Sequence, residues 1–332
     1  KYLRIRILNF VKAEKQERNQ ETKFEEKFIC WTRCNSGCSK QWMSSLYMKR
    51  LNRLEFQFAC PVFCPLDDLL DAIIAVQSSS LTHLSLFTLD LNDGHVERIC
   101  NEMRLLRSVN FWGANLKEHA LACLSSTETI GPQLESLSFG SFGQEISLPD
   151  TMSNCTSLRE LNIGRCIVSH HDLAVLPPTI QKLNVDHCPQ IKDCLFIAQH
   201  LRHLVHLSIS RAGGDTIGSS LPHLTLLSHT LQHLNMRDVL VNDEQFVATI
   251  SALTRLKSLD MTNCSNITED AMLLALGNGG NHPHLTSLRM QECYCVDDRV
   301  CLQLLSNLSL ETLIVTIPRI SDETAIETFC AS

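Results

Sequence analysis

Apolar residues recur along this chain in one frame, apolar-x2-apolar-x-apolar, and the clearest copy is Leu256-Lys257-Ser258-Leu259-Asp260-Met261. Alternation at Leu259 and Met261 predicts a short strand with those two side chains turned inward. Cys264 follows at the turn that leaves the strand, and Thr268 ahead of Glu269 and Asp270 reads as a helix N-cap. The same frame opens at Leu51, Leu81, Leu106, Leu134, Leu158, Ile180, Leu204, Leu231, Leu256, Leu285 and Leu310, which makes eleven units spaced by 22 to 30 residues.

Between the strands, segments such as Asp270–Leu276 and Arg299–Leu305 carry apolar residues at helical spacing. Asn242, followed by Asp243 and Gln245, has the form of an N-cap with its third-position partner. Each unit is therefore a strand, a turn and a helix. Neither element buries its apolar face alone, so units stack and share one core. Strands about 4.8 Å apart set against helices about 10 Å apart force curvature, which predicts a horseshoe with a concave parallel sheet and convex helices. Pro177-Pro178 closes the short unit at Leu158 and predicts a helix of little more than a turn. The segment Ser321–Phe329 is expected to cap the C-terminal end.

At 44% apolar and 20% charged residues the chain has enough apolar surface for a large core. Several of its sixteen cysteines fall in apolar repeat positions rather than on a framework spacing. No secretory signal opens the sequence and no apolar run approaches the ~20 residues of a membrane span. Free thiols in the cytoplasm or nucleus are the expectation.

Charge divides the chain near residue 50. Residues 1–50 hold 12 Lys/Arg against 5 Asp/Glu, and the remainder 17 against 31. This predicts a basic head over 1–50, partly disordered or capping, and a repeat domain over 51–332. Within the head, 1–11 reads as a strand or short helix and 12–27 as solvated. Cys30, Cys34 and Cys38, like Cys60 and Cys64, raise a metal site, but no tetrahedral set is completed and ordinary thiols are preferred. No metal or cofactor is expected, nor a nucleic-acid or membrane partner.

Catalytic signatures are missing from the sequence. There is no Gly-x4-Gly-Lys loop, no Gly-x-Ser-x-Gly elbow and no His-Glu-x2-His helix. His200, His203 and His206 straddle a helix end and a strand, while His170-His171 and His282-Pro283-His284 read as surface turns. Stand-alone enzymatic activity is not expected.

Cys166, Cys188, Cys264 and Cys293 all occupy the ninth position of their units. A small, weakly polar side chain suits that place, so these four are read as structural. The continuation repeats as Cys188…Ile191-Lys192-Asp193, Cys264…Ile267-Thr268-Glu269 and Cys293…Val296-Asp297-Asp298. This pattern resembles the cysteine-containing leucine-rich repeats of F-box/LRR proteins and of their F-box-less relatives, the mitotic-exit antagonists. The resemblance covers residues ~51–332 and is best over 158–323. It implies an α/β leucine-rich-repeat solenoid of the ribonuclease-inhibitor-like kind. It also implies a protein-interaction module that receives substrates for a Skp–cullin (SCF) ubiquitin ligase, with a Skp-type adaptor and cullin reached through an N-terminal region. The F-box-less relatives imply the alternative of a scaffold that sequesters a partner. Cys38-Ser39-Lys40-Gln41-Trp42 is faintly similar to the end of an F-box, yet no Leu-Pro opening precedes it.

In such a repeat a substrate protein or peptide meets the side chains that alternate with the inward leucines. Phe87 and Trp112 are large aromatics at the seventh position of adjacent units, where polar residues are usual, and they read either as partner contacts or as rings covered by the head. Asn162, Asp186, His206, His233, Arg237, Asp260 and Arg289 complete the expected partner-binding set; the last six alternate in sign and read either as a surface for a polar or charged peptide or as a solvated sheet face.

Overall fold

A computed structural model describes residues 2–7, 51–58, 66–87, 91–114, 116–140, 144–277, 282–293 and 296–316. The readings of residues 12–27, of Cys30, Cys34, Cys38, Cys60 and Cys64, and of the 321–329 cap lie outside the described residues. The chain forms two compact units, Lys1–Asn162 and Ile163–Ser332.

In the first unit, strands Tyr2–Ile7, Arg53–Phe58, His83–Phe87, Ser108–Trp112, Ser136–Gly140 and Glu160–Asn162 pair parallel in that order. Their register is the sequence frame itself. Leu54 stands opposite Leu84, Leu84 opposite Val109, Val109 opposite Leu137 and Leu137 opposite Leu161. Tyr2–Ile7 joins in the same frame, with Leu3 opposite Leu54 and Ile5 opposite Phe56. Helices Leu66–Gln77, Asp93–Glu102 and Glu118–Ser125 return the chain between strands. A 3-10 turn at Gly131–Gln133 follows the last of these helices, and between Ser136–Gly140 and Glu160–Asn162 the helical return is only the 3-10 turn Asp150–Asn154.

The second unit repeats the plan with strands Lys182–Asn184, His206–Ser208, His233–Asn235, Ser258–Asp260, Ser287–Met290 and Thr312–Val315. Leu183, Leu207, Leu234, Leu259, Leu288 and Leu313 face one another in register. Pro177-Pro178 is preceded by a 3-10 turn at Asp172–Val175, and longer helices follow at Cys194–His200, Asp243–Ala252, Glu269–Leu276 and Asp298–Asn307. Leu183, Leu207, Leu234, Leu259 and Leu288 are at most 2% exposed, and Ile209, Met236, Met261 and Met290, two residues after the central leucines of their units, are fully buried. Burial of such a side chain contributes roughly 1.5–3 kcal/mol, and the two columns run from unit to unit through the core.

Helix starts follow the sequence. The Asn242 carboxamide accepts from Gln245 N at 2.9 Å while the Gln245 side chain accepts from Asn242 N at 3.2 Å. Thr268 Oγ1 accepts from Ala271 N at 3.4 Å.

Two features of the turn after each strand recur in the second unit. The eighth-position residues Arg165, His187, Arg211, Asp238, Asn263 and Glu292 all have φ between 53° and 66°. This left-handed conformation costs a non-glycine residue roughly 1–2 kcal/mol. It turns the backbone N–H toward the following unit, so Arg165 N donates to Asp186 O, His187 N to Ser210 O, Arg211 N to Arg237 O, Asp238 N to Thr262 O and Asn263 N to Gln291 O, at 2.6–3.1 Å. One residue later the ninth-position thiol reaches the opposite way. Cys188 Sγ donates to Ile163 O, Cys264 Sγ to Met236 O and Cys293 Sγ to Met261 O, each at 3.2 Å. Cys166 Sγ lies 3.8 Å from Gly164 O in its own unit.

The surface reading of His282 is corrected here. His282 is 1% exposed, and burial pushes its pKa down. His170 and His171 are exposed, with ring centroids 4.2 Å apart.

Candidate partner-binding face

The third-, fifth- and seventh-position side chains alternate with the buried columns and form the outer face of each sheet. In the first unit this face holds a depression of about 370 Å³. Its floor is Ser85, Ser108, Asn110, Ser136 and Ser138, all small and polar. Arg53 and Glu55 stand at one side, joined by an ion pair at 2.7 Å, and Arg159 and Glu160 at the other. Glu135, also on the rim, is held by Arg107 at 2.8 Å. Small hydroxyl and amide groups between two sets of charges make a surface that can hydrogen-bond an extended chain.

Phe87 and Trp112 do not line this depression. Both are half-buried at the strand ends, where Trp112 stands opposite Gly140. The Trp112 backbone N–H donates to Asn110 Oδ1 at 3.0 Å. Asn162 closes the first unit's sheet, opposite Ser138 and half-buried.

In the second unit Asp186, His206, His233, Arg237, Asp260 and Arg289 share the outer face, but much of the expected polarity is turned inward. Asp186 Oδ1 accepts from Ser208 Oγ at 2.6 Å and from Ser210 N at 2.8 Å, and its other oxygen accepts from Asn184 Nδ2 at 3.1 Å. Asn235 Nδ2 extends this network to Ser208 Oγ at 2.8 Å. Asp260 Oδ1 accepts from Thr262 N at 3.0 Å. The His206 and His233 rings stack face to face, with centroids 3.9 Å apart and planes within 1°. Burial, aided by Lys257 and Lys182, pushes the His233 pKa down. Arg237 and Arg211 converge on the Asp238 carboxylate at 3.1 and 2.8 Å. Hydrogen bonds from Asn263, Arg211 and Arg237 hold the Asp238 pKa low against the opposing effect of its burial. Arg289 is exposed opposite Asp260.

A recurring device escaped the sequence reading. The fifth-position side chains of Asn110, Asn184, Asn235 and Asp260 each accept from the backbone N–H two residues on, at 2.9–3.1 Å. These groups close the strand end, as an Asx turn does. The signal was present as the repetition of Asn and Asp at one position.

The turn cysteines are poor nucleophiles. Burial pushes the Cys188 and Cys264 thiols up to about 12, and Cys100, Cys155 and Cys194 with them. Among the described residues no group of three or more His, Cys, Asp or Glu is placed to hold a metal ion, and no helix is long and apolar enough to cross a membrane.

In-register parallel strands, helical returns and an inward leucine at the fourth position of each unit but one, where Val109 stands, define a leucine-rich-repeat protein of the α/β class. The chain is 33% identical over 116 residues to the leucine-rich repeat-containing protein 14 of Bos taurus and 33% identical over 118 residues to that of Rattus norvegicus. The match spans 32% of this chain and 24% of each relative, so the chain matches about a quarter of the length of these curated proteins. No family model matches the sequence. Among solved structures, an internalin from Listeria monocytogenes str. 4b F2365 aligns over 71% of this chain and 72% of its own, at 20% identity and a TM-score of 0.45. The yeast Rad7 and Elc1 complex supplies a chain that aligns over 86% of this one and 82% of its own, at 16% identity and a TM-score of 0.44.

Proposed function

We propose that this protein is a non-catalytic protein-interaction module that binds a partner protein or peptide on the outer face of its strands. The observation that carries this reading is the polar depression of about 370 Å³ across the first unit's strands, floored by Ser85, Ser108, Asn110, Ser136 and Ser138. Such a floor offers donors and acceptors at the ~4.8 Å spacing of the strands. Phe87 and Trp112 beside it would supply the apolar anchors. In the finer form of this reading the module is the substrate receptor of an SCF-type ubiquitin ligase in the cytoplasm or nucleus, with a Skp-type adaptor and cullin engaged by an N-terminal region. The ninth-position cysteine pattern supports that form. The same cysteine pattern is shared by F-box-less relatives, which gives a second reading, a scaffold that occupies its partner without ubiquitination.

Pull-down of the full-length natural protein from cells separates the two. Recovery of adaptor and cullin, lost on deletion of residues 1–50 and everything before them, supports the ligase receptor. Recovery of another protein without adaptor or cullin, abolished by Trp112→Ala or Ser108→Arg, supports the scaffold. Partner recovery indifferent to every strand-face substitution sinks both.

A further inference from the structure

Charge is segregated within the second unit. Residues 163–332 hold eleven Lys/Arg against seventeen Asp/Glu, so the unit is acidic overall. Several of its acids serve the helix starts, away from the strand face. Asp193 caps Leu195 N at 2.7 Å, Asp297 caps Val300 N at 2.9 Å, and Asp243 accepts from both the N–H and the hydroxyl of Thr268. On the strand face the carboxylates are already engaged, Asp186 by two serines and an asparagine, Asp260 by the Thr262 N–H. Asp238 is shared by two arginines, which leaves one positive charge over. The exposed Lys257 and Arg289 have no ion-pair partner among the described residues, although Arg289 stands opposite Asp260. Lys182 is exposed on the same face, beside the His206–His233 stack. Both Lys257 and Lys182 act on His233, after burial itself, to disfavour its protonation, which places that ring pair in a positive field.

We propose that the face around the stacked His206–His233 pair, with Lys182, Lys257, Arg237 and Arg289, binds an extended, Asp/Glu-rich segment of the partner protein. This rests on the reading of the strand face as a partner-binding surface and adds the chemistry of what it takes. Carboxylates spaced along an extended chain would meet cations presented on successive strands. Asp186, Asp238 and Asp260 keep their charge, but Lys182, Arg211, Arg237, Lys257 and Arg289 outnumber them, so this part of an acidic unit carries a surplus of positive charge. Complementarity of this kind sets specificity and association rate, and it weakens with salt.

The test uses the full chain, a fluorescent (Glu-Gly)6 peptide, its (Gln-Gly)6 counterpart and a (dT)12 oligonucleotide. The acidic peptide is expected to bind at least about tenfold more tightly than the amide peptide at low salt, with the difference shrinking toward 0.5 M salt. The double variant Lys257→Glu/Arg289→Glu is expected to weaken it at least about tenfold, and the exposed control Lys192→Glu less than about twofold. Circular dichroism of each variant controls for folding, because these side chains are exposed and make no hydrogen bond or ion pair among the described residues. Equal affinity for the two peptides, indifference to the double variant, or tighter binding of (dT)12 would overturn the inference. A cellular partner that survives the double variant but is lost with Trp112→Ala also overturns it, while leaving the interaction module intact.

Discussion

The thiol of Cys264 donates to the carbonyl oxygen of Met236 at 3.2 Å, from the turn of one unit to the strand end of the unit before it. Cys188 and Cys293 make the same bond to Ile163 and Met261. Cys264→Ala should therefore lower stability by about 1–3 kcal/mol, through an orphaned carbonyl and a small void. Cys264→Ser should cost less if its hydroxyl recovers the bond. Urea denaturation of both variants measures this, and an alanine variant as stable as the parent contradicts it. Thiol labelling of the native protein should modify Cys123 before Cys100, Cys188 or Cys264, because the latter are buried and their pKa values stand near 12.

Acid should destabilise the second unit. Burial holds the pKa values of His187, His233 and His282 below the ordinary 6.5, with neighbouring cations contributing at His187 and His233. The unfolded chain then binds protons that the folded chain refuses. Stability is full above pH 6.5 and is lost as pH falls from there toward the depressed folded values. His282 lies deepest, so His282→Leu should flatten the slope between pH 7 and 5. Thermal melts across that range would decide it, and an unchanged slope would assign the acid sensitivity elsewhere.

Gly218, in the short helix Ile217–Ser220, sits where a Cβ would lie 1.7 Å from Leu240 O. Gly218→Ala must push two adjacent units apart and should cost at least about 1–3 kcal/mol. Gly94, whose Cβ would meet only the Asn92 side chain at 3.4 Å, should accept alanine with a change under about 1 kcal/mol. Similar losses at both positions would falsify the close-approach account.

The left-handed turn residues give an inverted prediction. Glu292→Gly should hold or raise stability by up to about 1 kcal/mol, whereas Glu292→Val should lower it by more, since a branched side chain tolerates φ 58° least. Denaturation midpoints of the pair test this, and loss in the glycine variant would mean that the side chain itself contributes.

The strand frame was readable from sequence because its signal is period and apolarity, which burial enforces in every unit: Leu259 pairs in register with Leu234 and Leu288 as the spacing required. Helix starts at Asn242 and Thr268 were readable because capping is a local bond. What was hidden depends on the neighbouring unit. Arg165, His187 and Glu292 share one left-handed backbone state without sharing any side-chain property, so nothing in the sequence marks them. Asp186 looked like a free recognition group, yet Ser208 and Ser210 of the next unit occupy its carboxylate. His282 looked exposed beside a proline, yet it is buried by tertiary packing that no local sequence pattern marks.

The turn bonds join each unit to its neighbour by position rather than by identity. The acceptor for an eighth-position N–H is whatever backbone carbonyl stands at the seventh position of the next unit. A carbonyl looks alike on serine, arginine or threonine, so these junctions are interchangeable. A whole unit copied or deleted within the array would leave both new neighbours with a matching donor and acceptor. Duplication of a repeat would thus leave these backbone junctions matched, whatever side chains the outward columns carry.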